Sequence, residues 1–187
     1  MKSSVLRWIY LGIIFSRSAL GALTNGLVAY YPFNGNANDE SGNGNHGSTY
    51  GVTPCSDRYG ISSNGYEFPG AGAYIEVPDN DKLELTNDFS FSWWIKVPAT
   101  FSNAAVVMAK HGWTDNANSW VFLYQHTPAG GIDSCLSFNP PYNWAECAFI
   151  RNVPRGDWAH MAYSYSKASG VWHLYRDGIC RSNGVIP

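Results

Sequence analysis

An all-β fold, an antiparallel β-sandwich, is what this sequence predicts, and three observations predict it. Along residues 89–97, Phe89, Phe91, Trp93, Ile95 and Val97 alternate with Ser90, Ser92, Trp94 and Lys96, the period of two that marks a half-buried strand. Other short apolar runs are separated by Gly-, Pro- and Asn-rich turns, and no long segment repeats with the 3.6 period of a helix. Aromatic residues make up 16% of the chain, and flat or β-branched side chains suit a pleated, half-buried surface.

The amino terminus comes first and stands apart. Lys2 and Arg7 precede the apolar run Trp8–Phe15, and Ala19 and Gly21 hold the −3 and −1 positions of a cut after Gly21. Charge, apolar stretch and small residues in that order describe a secretory signal peptide over residues 1–21. The run is closed by Arg17 and is too short to span a bilayer, which takes about 20 residues. No later segment is apolar enough to span one, so the mature chain is expected to carry no transmembrane segment. Residues 22–187 have the length of one ordinary domain.

Within that domain, residues 26–33 form an apolar run of strand length, followed by a polar, Gly/Asn-rich loop over 34–47. That loop is rich in residues that tolerate positive φ and poor in anything that packs. Residues 51–65 read as a second loop. Short strands at 66–68 and 73–77 flank Pro69-Gly70-Ala71-Gly72, and residues 89–97 follow as the clearest strand. Further strands are expected at 105–110, 120–125, 135–138, 158–165 and 171–176. The last two are joined by Ser166–Gly170, a hairpin loop.

In this order the pieces resemble a known family. Residues 26–47, then Glu67-Phe68 with Tyr74–Pro78, then Phe89–Ile95, then Trp158–Tyr163 with Trp172–Gly178 are similar to laminin G-like jelly-roll domains of the concanavalin A-like superfamily. The resemblance implies a jelly-roll sandwich with Trp158 and Trp172 in its core. It also implies strands beyond the Asp177-Gly178 turn, so the domain is expected to lack its C-terminal strands. It implies a secreted binding module for a glycan or an extracellular protein, either a carbohydrate-recognition or adhesion module or a protein-interaction module without sugar binding.

The polar loop concentrates oxygen atoms, among them those of Asn34, Asn36, Asn38, Asp39, Asn43 and Asn45. Ca²⁺ takes six to eight oxygens in flexible geometry. The spacing of Asn34, Asn36 and Asn38 mimics the start of an EF-hand, but Asp39 and Asn45 replace its Gly and Glu. In the resembled family this segment helps hold a structural calcium. The resemblance therefore implies a Ca²⁺ site with Asp39 as the acidic ligand and Asn43, Asn45 and Asn36 beside it. The alternative is a plain loop of Asx turns whose side chains satisfy one another.

Four cysteines, Cys55, Cys135, Cys147 and Cys180, lie in a chain read as exported, where an even count allows two disulfides in three pairings. Cys135 and Cys147 flank the Asn139-Pro140-Pro141-Tyr142-Asn143 turn, which favours their bond and leaves Cys55 with Cys180. Buried free thiols are the alternative.

Net charge is −2, with no run of Lys or Arg, and nucleic-acid binding needs a basic patch. No Glu-x-Asp-x-x-Glu, Gly-x-Ser-x-Gly or His-Glu-x-x-His motif occurs. Asp79, Asp81 and Glu84 come nearest to paired carboxylates but sit in a Pro/Asn turn, where they are expected to stay solvated. A glycan-active hydrolase is thus the less favoured alternative to a binding module. His160 and His173 lie on paired strands and are expected to face each other as a surface pair. Aromatic side chains that remain exposed stack on sugars or anchor protein partners. Trp94 points away from the core face, and Trp113, Tyr142 and Trp144 are the loop aromatics expected to touch a ligand.

Overall fold

The computed structural model describes residues 25–70, 72–84, 87–100, 105–110, 120–126, 132–138 and 153–185, with the backbone alone at 120–126 and 132–138. Residues 1–21, read as a signal peptide, lie outside the described residues. The chain divides into two compact units, Met1–Asn80 and Asp81–Pro187.

Among the described residues the first unit carries four short strands: β1 (Ser48–Tyr50), β2 (Thr53–Cys55), β3 (Gly65–Glu67) and β4 (Tyr74–Glu76). They form two antiparallel pairs, β1 with β4 and β2 with β3. β3 and β4, the two strands read on either side of 69–72, thus pair with separate partners; β2 falls wholly within the stretch 51–65 that reads as loop, and β1 lies between the two loops. The apolar run 26–33 forms no strand. Its backbone groups are claimed by the following loop: Tyr30 O accepts from Glu40 N at 2.8 Å, and Tyr30 N donates to Asp39 Oδ1 at 2.9 Å.

The second unit begins with a single 3₁₀ turn, Asp81–Leu83, and holds two antiparallel sheets. One sheet orders β11 (Ile179–Val185), β10 (Val171–Arg176), β9 (Trp158–Tyr165) and β5 (Phe89–Lys96). The other orders β6 (Ala105–Lys110), β7 (Trp120–His126) and β8 (Ile132–Phe138). β11 lies beyond the last strand that the sequence pattern marks. The core sits on one face of the four-stranded sheet: Ala159, Met161 and Tyr163 from β9 and Trp172 and Leu174 from β10, with Val97 and Val153. Phe89, Phe91, Trp93 and Ile95 of β5 pack against them, as do Val107 and Met108 of β6 from the second sheet. The alternation read in the sequence is thus an all-β sandwich with its apolar positions turned inward. Met161 is fully buried and Leu174 is 1% exposed.

Three expectations are corrected here. Trp172 is in the core, but Trp158 falls on the opposite face of β9, because Ala159, Met161 and Tyr163 take the inward positions. Glu84 is not simply solvated: Lys110 Nζ, itself buried, donates to its Oε1 at 2.6 Å. Cys55 and Cys180 stand as free thiols rather than as a disulfide. The side chain of Cys135 and all of Cys147 lie outside the described residues.

Candidate functional site

Among the described residues, polar side chains gather in the loop 34–46 of the first unit and on one sheet face of the second, and the two places do different things.

The loop 34–46 is organised around Asp39, which is 5% exposed. Its Oδ1 accepts hydrogen bonds from Tyr30 N at 2.9 Å and Ser41 N at 2.8 Å. Its Oδ2 accepts from Ser41 Oγ at 2.9 Å and Asn45 N at 3.0 Å. Burial pushes the carboxyl pKa up, but these bonds to the charged form outweigh it and hold the value at about 2. Tyr31 lies close by, donating to Asn45 O at 2.6 Å. Burial, and then the Asp39 charge, push its phenol up to about 12.

The residues expected to ligate calcium are brought together, but with the wrong polarity for a cation. An ionised carboxylate offers about four lone-pair positions, and all four at Asp39 face N–H or O–H hydrogens. Asn43 turns its Nδ2 to Leu27 O at 2.7 Å and Val28 O at 3.1 Å, and Asn45 turns its Nδ2 to Val28 O at 3.0 Å. Asn36 closes an Asx turn, its Oδ1 accepting from Asn38 N at 2.8 Å. Asn45 Oδ1 is buried and meets no donor among the described residues. A carboxylate already taken up by four donors, with one neutral buried oxygen beside it, falls far short of the set Ca²⁺ takes. Among the described residues, no three His, Cys, Asp or Glu gather as a metal site. These residues do not fit a calcium ion, and the arrangement is that of satisfied Asx turns.

The second place is the outward face of the four-stranded sheet. Directly paired residues on antiparallel strands share a face, so the register defines its rows. Trp94 lies opposite His160. Ser92 lies opposite Ala162, Ala162 opposite Tyr175, and Tyr175 opposite Cys180. Ser90 lies opposite Ser164, Ser164 opposite His173, and His173 opposite Asn183. Trp94 is 44% exposed, and its ring centroid lies 5.1 Å from that of His160, tilted by 46°. Ser92 Oγ and His160 Nε2 are hydrogen-bonded at 2.8 Å. A second ring pair, His173 and Tyr175, stacks at 6.0 Å. His173 is opposite Ser164, four residues along β9 from His160, so the two histidines share the face but do not meet as expected. At a rise of about 3.3 Å per residue they are on the order of 13 Å apart.

A family model described as the concanavalin A-like lectin/glucanases superfamily matches residues 69–187, more than half of the chain. The chain belongs to this superfamily. No curated protein and no solved structure matches it. Membership makes the protein a lectin-like or binding module in general terms. Laminin G-like members are typically extracellular, and among the described residues no helix is long and apolar enough to cross a membrane.

For such a module the outward face has the composition a ligand needs: aromatic rings, hydroxyls, an amide and imidazoles, with no Asp, Glu, Lys or Arg in the three rows. The expected binding residues, Trp113, Tyr142 and Trp144, lie outside the described residues; Trp94, read as pointing away from the core, stands at the edge of this face. Ser92, His160, Tyr175 and Asn183 were not singled out as a group by sequence reasoning. Half of the signal was present, since Ser90, Ser92 and Trp94 are the outward positions of the β5 alternation. The other half is strand register, which a single sequence does not display.

Proposed function

We propose that this chain is a secreted carbohydrate-recognition module that holds its glycan on the outward face of the four-stranded sheet. The observation that carries the reading is the exposure of Trp94 beside Ser92 and His160, in rows that hold no fixed charge. A pyranose presents an apolar C–H face, which stacks on an indole, and a rim of hydroxyls, which pair with Ser, His, Tyr and Asn side chains. Four paired strands make this surface stiff, so little ordering is required of it on binding.

The Ser92–His160 contact is also the first step of a nucleophile-and-base arrangement, and binding is favoured over that alternative for a specific reason. Asp177 accepts from the His160 backbone N at 3.0 Å rather than from its ring, and among the described residues no carboxylate is seen to orient the imidazole as a base. Nor does the face carry the carboxylate pair that glycoside hydrolysis uses. The order of charge, apolar run and small residues in residues 1–21 supports export, and intact-mass measurement of the exported chain checks it: a mature protein still beginning at Met1 is incompatible with a cleaved signal.

Titration with a panel of neutral oligosaccharides, read by intrinsic tryptophan fluorescence and calorimetry, tests the site. Trp94→Ala is expected to weaken binding at least about tenfold, a loss of about 1.4 kcal/mol. Undiminished binding by a folded Trp94→Ala variant removes this face from consideration, and a wild type that binds no glycan removes the reading itself.

A further inference from the structure

We infer that Asp39 occupies the place of a metal ion in the loop 34–46, and that the first unit reaches and keeps its folded shape without calcium. A loop this polar cannot hold itself by packing, so something charged must gather its backbone. That charge is the Asp39 carboxylate, which collects N–H groups from three separate stretches: the extended segment at Tyr30, its own turn at Ser41, and the end of the loop at Asn45. Bonds of this kind, backbone N–H to carboxylate, are the stronger, charge-assisted class.

The layer around the hub repeats the pattern. A hard cation draws backbone carbonyls as ligands, yet the carbonyl best placed to serve, that of Val28, receives Ser41 Oγ at 3.2 Å, Asn43 Nδ2 at 3.1 Å and Asn45 Nδ2 at 3.0 Å. Asp39 N donates to His46 Nδ1 at 3.1 Å and Gly47 N to Ala37 O at 2.9 Å, so the backbone is satisfied on both sides of the hub. A divalent ion approaching Asp39 meets the positive ends of four donors and has to turn Tyr30, Ser41 and Asn45 out of place before it gains one ligand. The hub and the ion are therefore alternatives, and the chain is built for the hub.

The test uses the full chain. Thermal melts of the wild type in excess Ca²⁺ and in excess chelator are expected to coincide, and hydrogen exchange at the Tyr30, Ser41 and Asn45 amides is expected to be equally slow in both. Asp39→Asn keeps the shape but removes the charge and turns a donor toward donors. It is expected to lower the melting temperature by roughly 5 °C or more and to speed exchange at those three amides, with or without calcium. Ser41→Ala, a milder change that deletes one donor, is expected to shift the same amides in the same direction by less. A calcium-dependent rise in the wild-type melting temperature, or slower exchange at those amides on adding Ca²⁺, overturns the inference. So does an Asp39→Asn variant as stable as the wild type.

Discussion

Gly184→Ala is expected to destabilise the protein through one neighbour, the indole of Trp172. Gly184 on β11 lies directly opposite Trp172 on β10. A Cβ at position 184 lands 2.7 Å from Trp172 Cζ2, 2.8 Å from Cε2 and 3.0 Å from Nε1, so either the ring or the strand has to move. The ring is not free to do so. Trp172 is 8% exposed and stacks on Tyr163 at 6.3 Å, which in turn stacks on Phe89 at 5.9 Å. Overpacking of such a column costs about 1–3 kcal/mol, offset by about 0.4–1 kcal/mol from the reduced freedom of alanine in the unfolded chain. A net loss of about 1–2 kcal/mol lowers the melting temperature of a chain this size by roughly 2–8 °C. The control is Gly70→Ala, where a Cβ meets nothing within 4 Å and stability is expected to hold or rise slightly. Trp172→Leu supplies the decisive comparison, because without the indole the alanine has nothing to strike. In that background Gly184→Ala is expected to cost almost nothing, giving a coupling of about 1–2 kcal/mol between the two sites. Equal costs in the two backgrounds, measured by urea titration, would refute the account.

Acid sensitivity follows from the Asp39 carboxyl, whose folded pKa of about 2 lies below the ordinary aspartate value of about 3.9. A depressed folded pKa gives stability that is present above the unfolded value and lost as pH falls toward the folded one. The expected loss is about 2 kcal/mol between pH 4 and 2, seen in acid titrations of the wild type and absent from that window in Asp39→Asn. The thiols are expected to differ in reactivity: Cys180 is exposed, whereas Cys55 is partly buried and its thiol pKa is raised by that burial and then by the Glu67 charge. Under native, non-reducing conditions an alkylating reagent should label Cys180 first and Cys55 more slowly. Peptide mapping that finds the two residues joined contradicts this.

How far the fold could be read from the sequence depended on whether side chains or backbone made the structure. β5, β9 and β10 were legible because their inward residues are large and apolar and recur every second position. β11 was not, since Ile179-Cys180-Arg181-Ser182-Asn183-Gly184-Val185 has no such alternation and is exposed along most of its length. It is held by its ladder to β10 and by the indole lying over Gly184, which fills the space a side chain would take. The run 26–33 failed in the opposite way. It has a strand's composition, but side chains from a loop a dozen residues later satisfy its backbone, leaving it no ladder. Asp39 was found as the charged centre of its loop, and its role inverted, because composition counts oxygens without saying which way neighbouring hydrogens point. The outward face was half visible in β5 and completed only by register.

The same register ties the proposed binding face to the stability of the sheet. Every outward row is backed by an inward one: Trp94 and His160 flank inward positions held by Trp93, Ile95, Ala159 and Met161, and Tyr175 stands beside Leu174. Inward residues are fixed by packing, so their identity is explained once the core is described. Outward residues are not, and a strand indifferent to its solvent face is expected to carry charged or β-branched side chains there, which keep an exposed sheet from pairing with others. This face instead presents an exposed indole, two imidazoles and a phenol among serines, with its fixed charges at the margins in Lys96 and Asp177. The part of Trp94 that stays exposed, 44% of it, adds nothing to the packing of the fold. Its apolar area leaves water only when something covers it, and the neutral hydroxyl-rich setting matches an occupant that is apolar on one surface and hydroxylated around its edge.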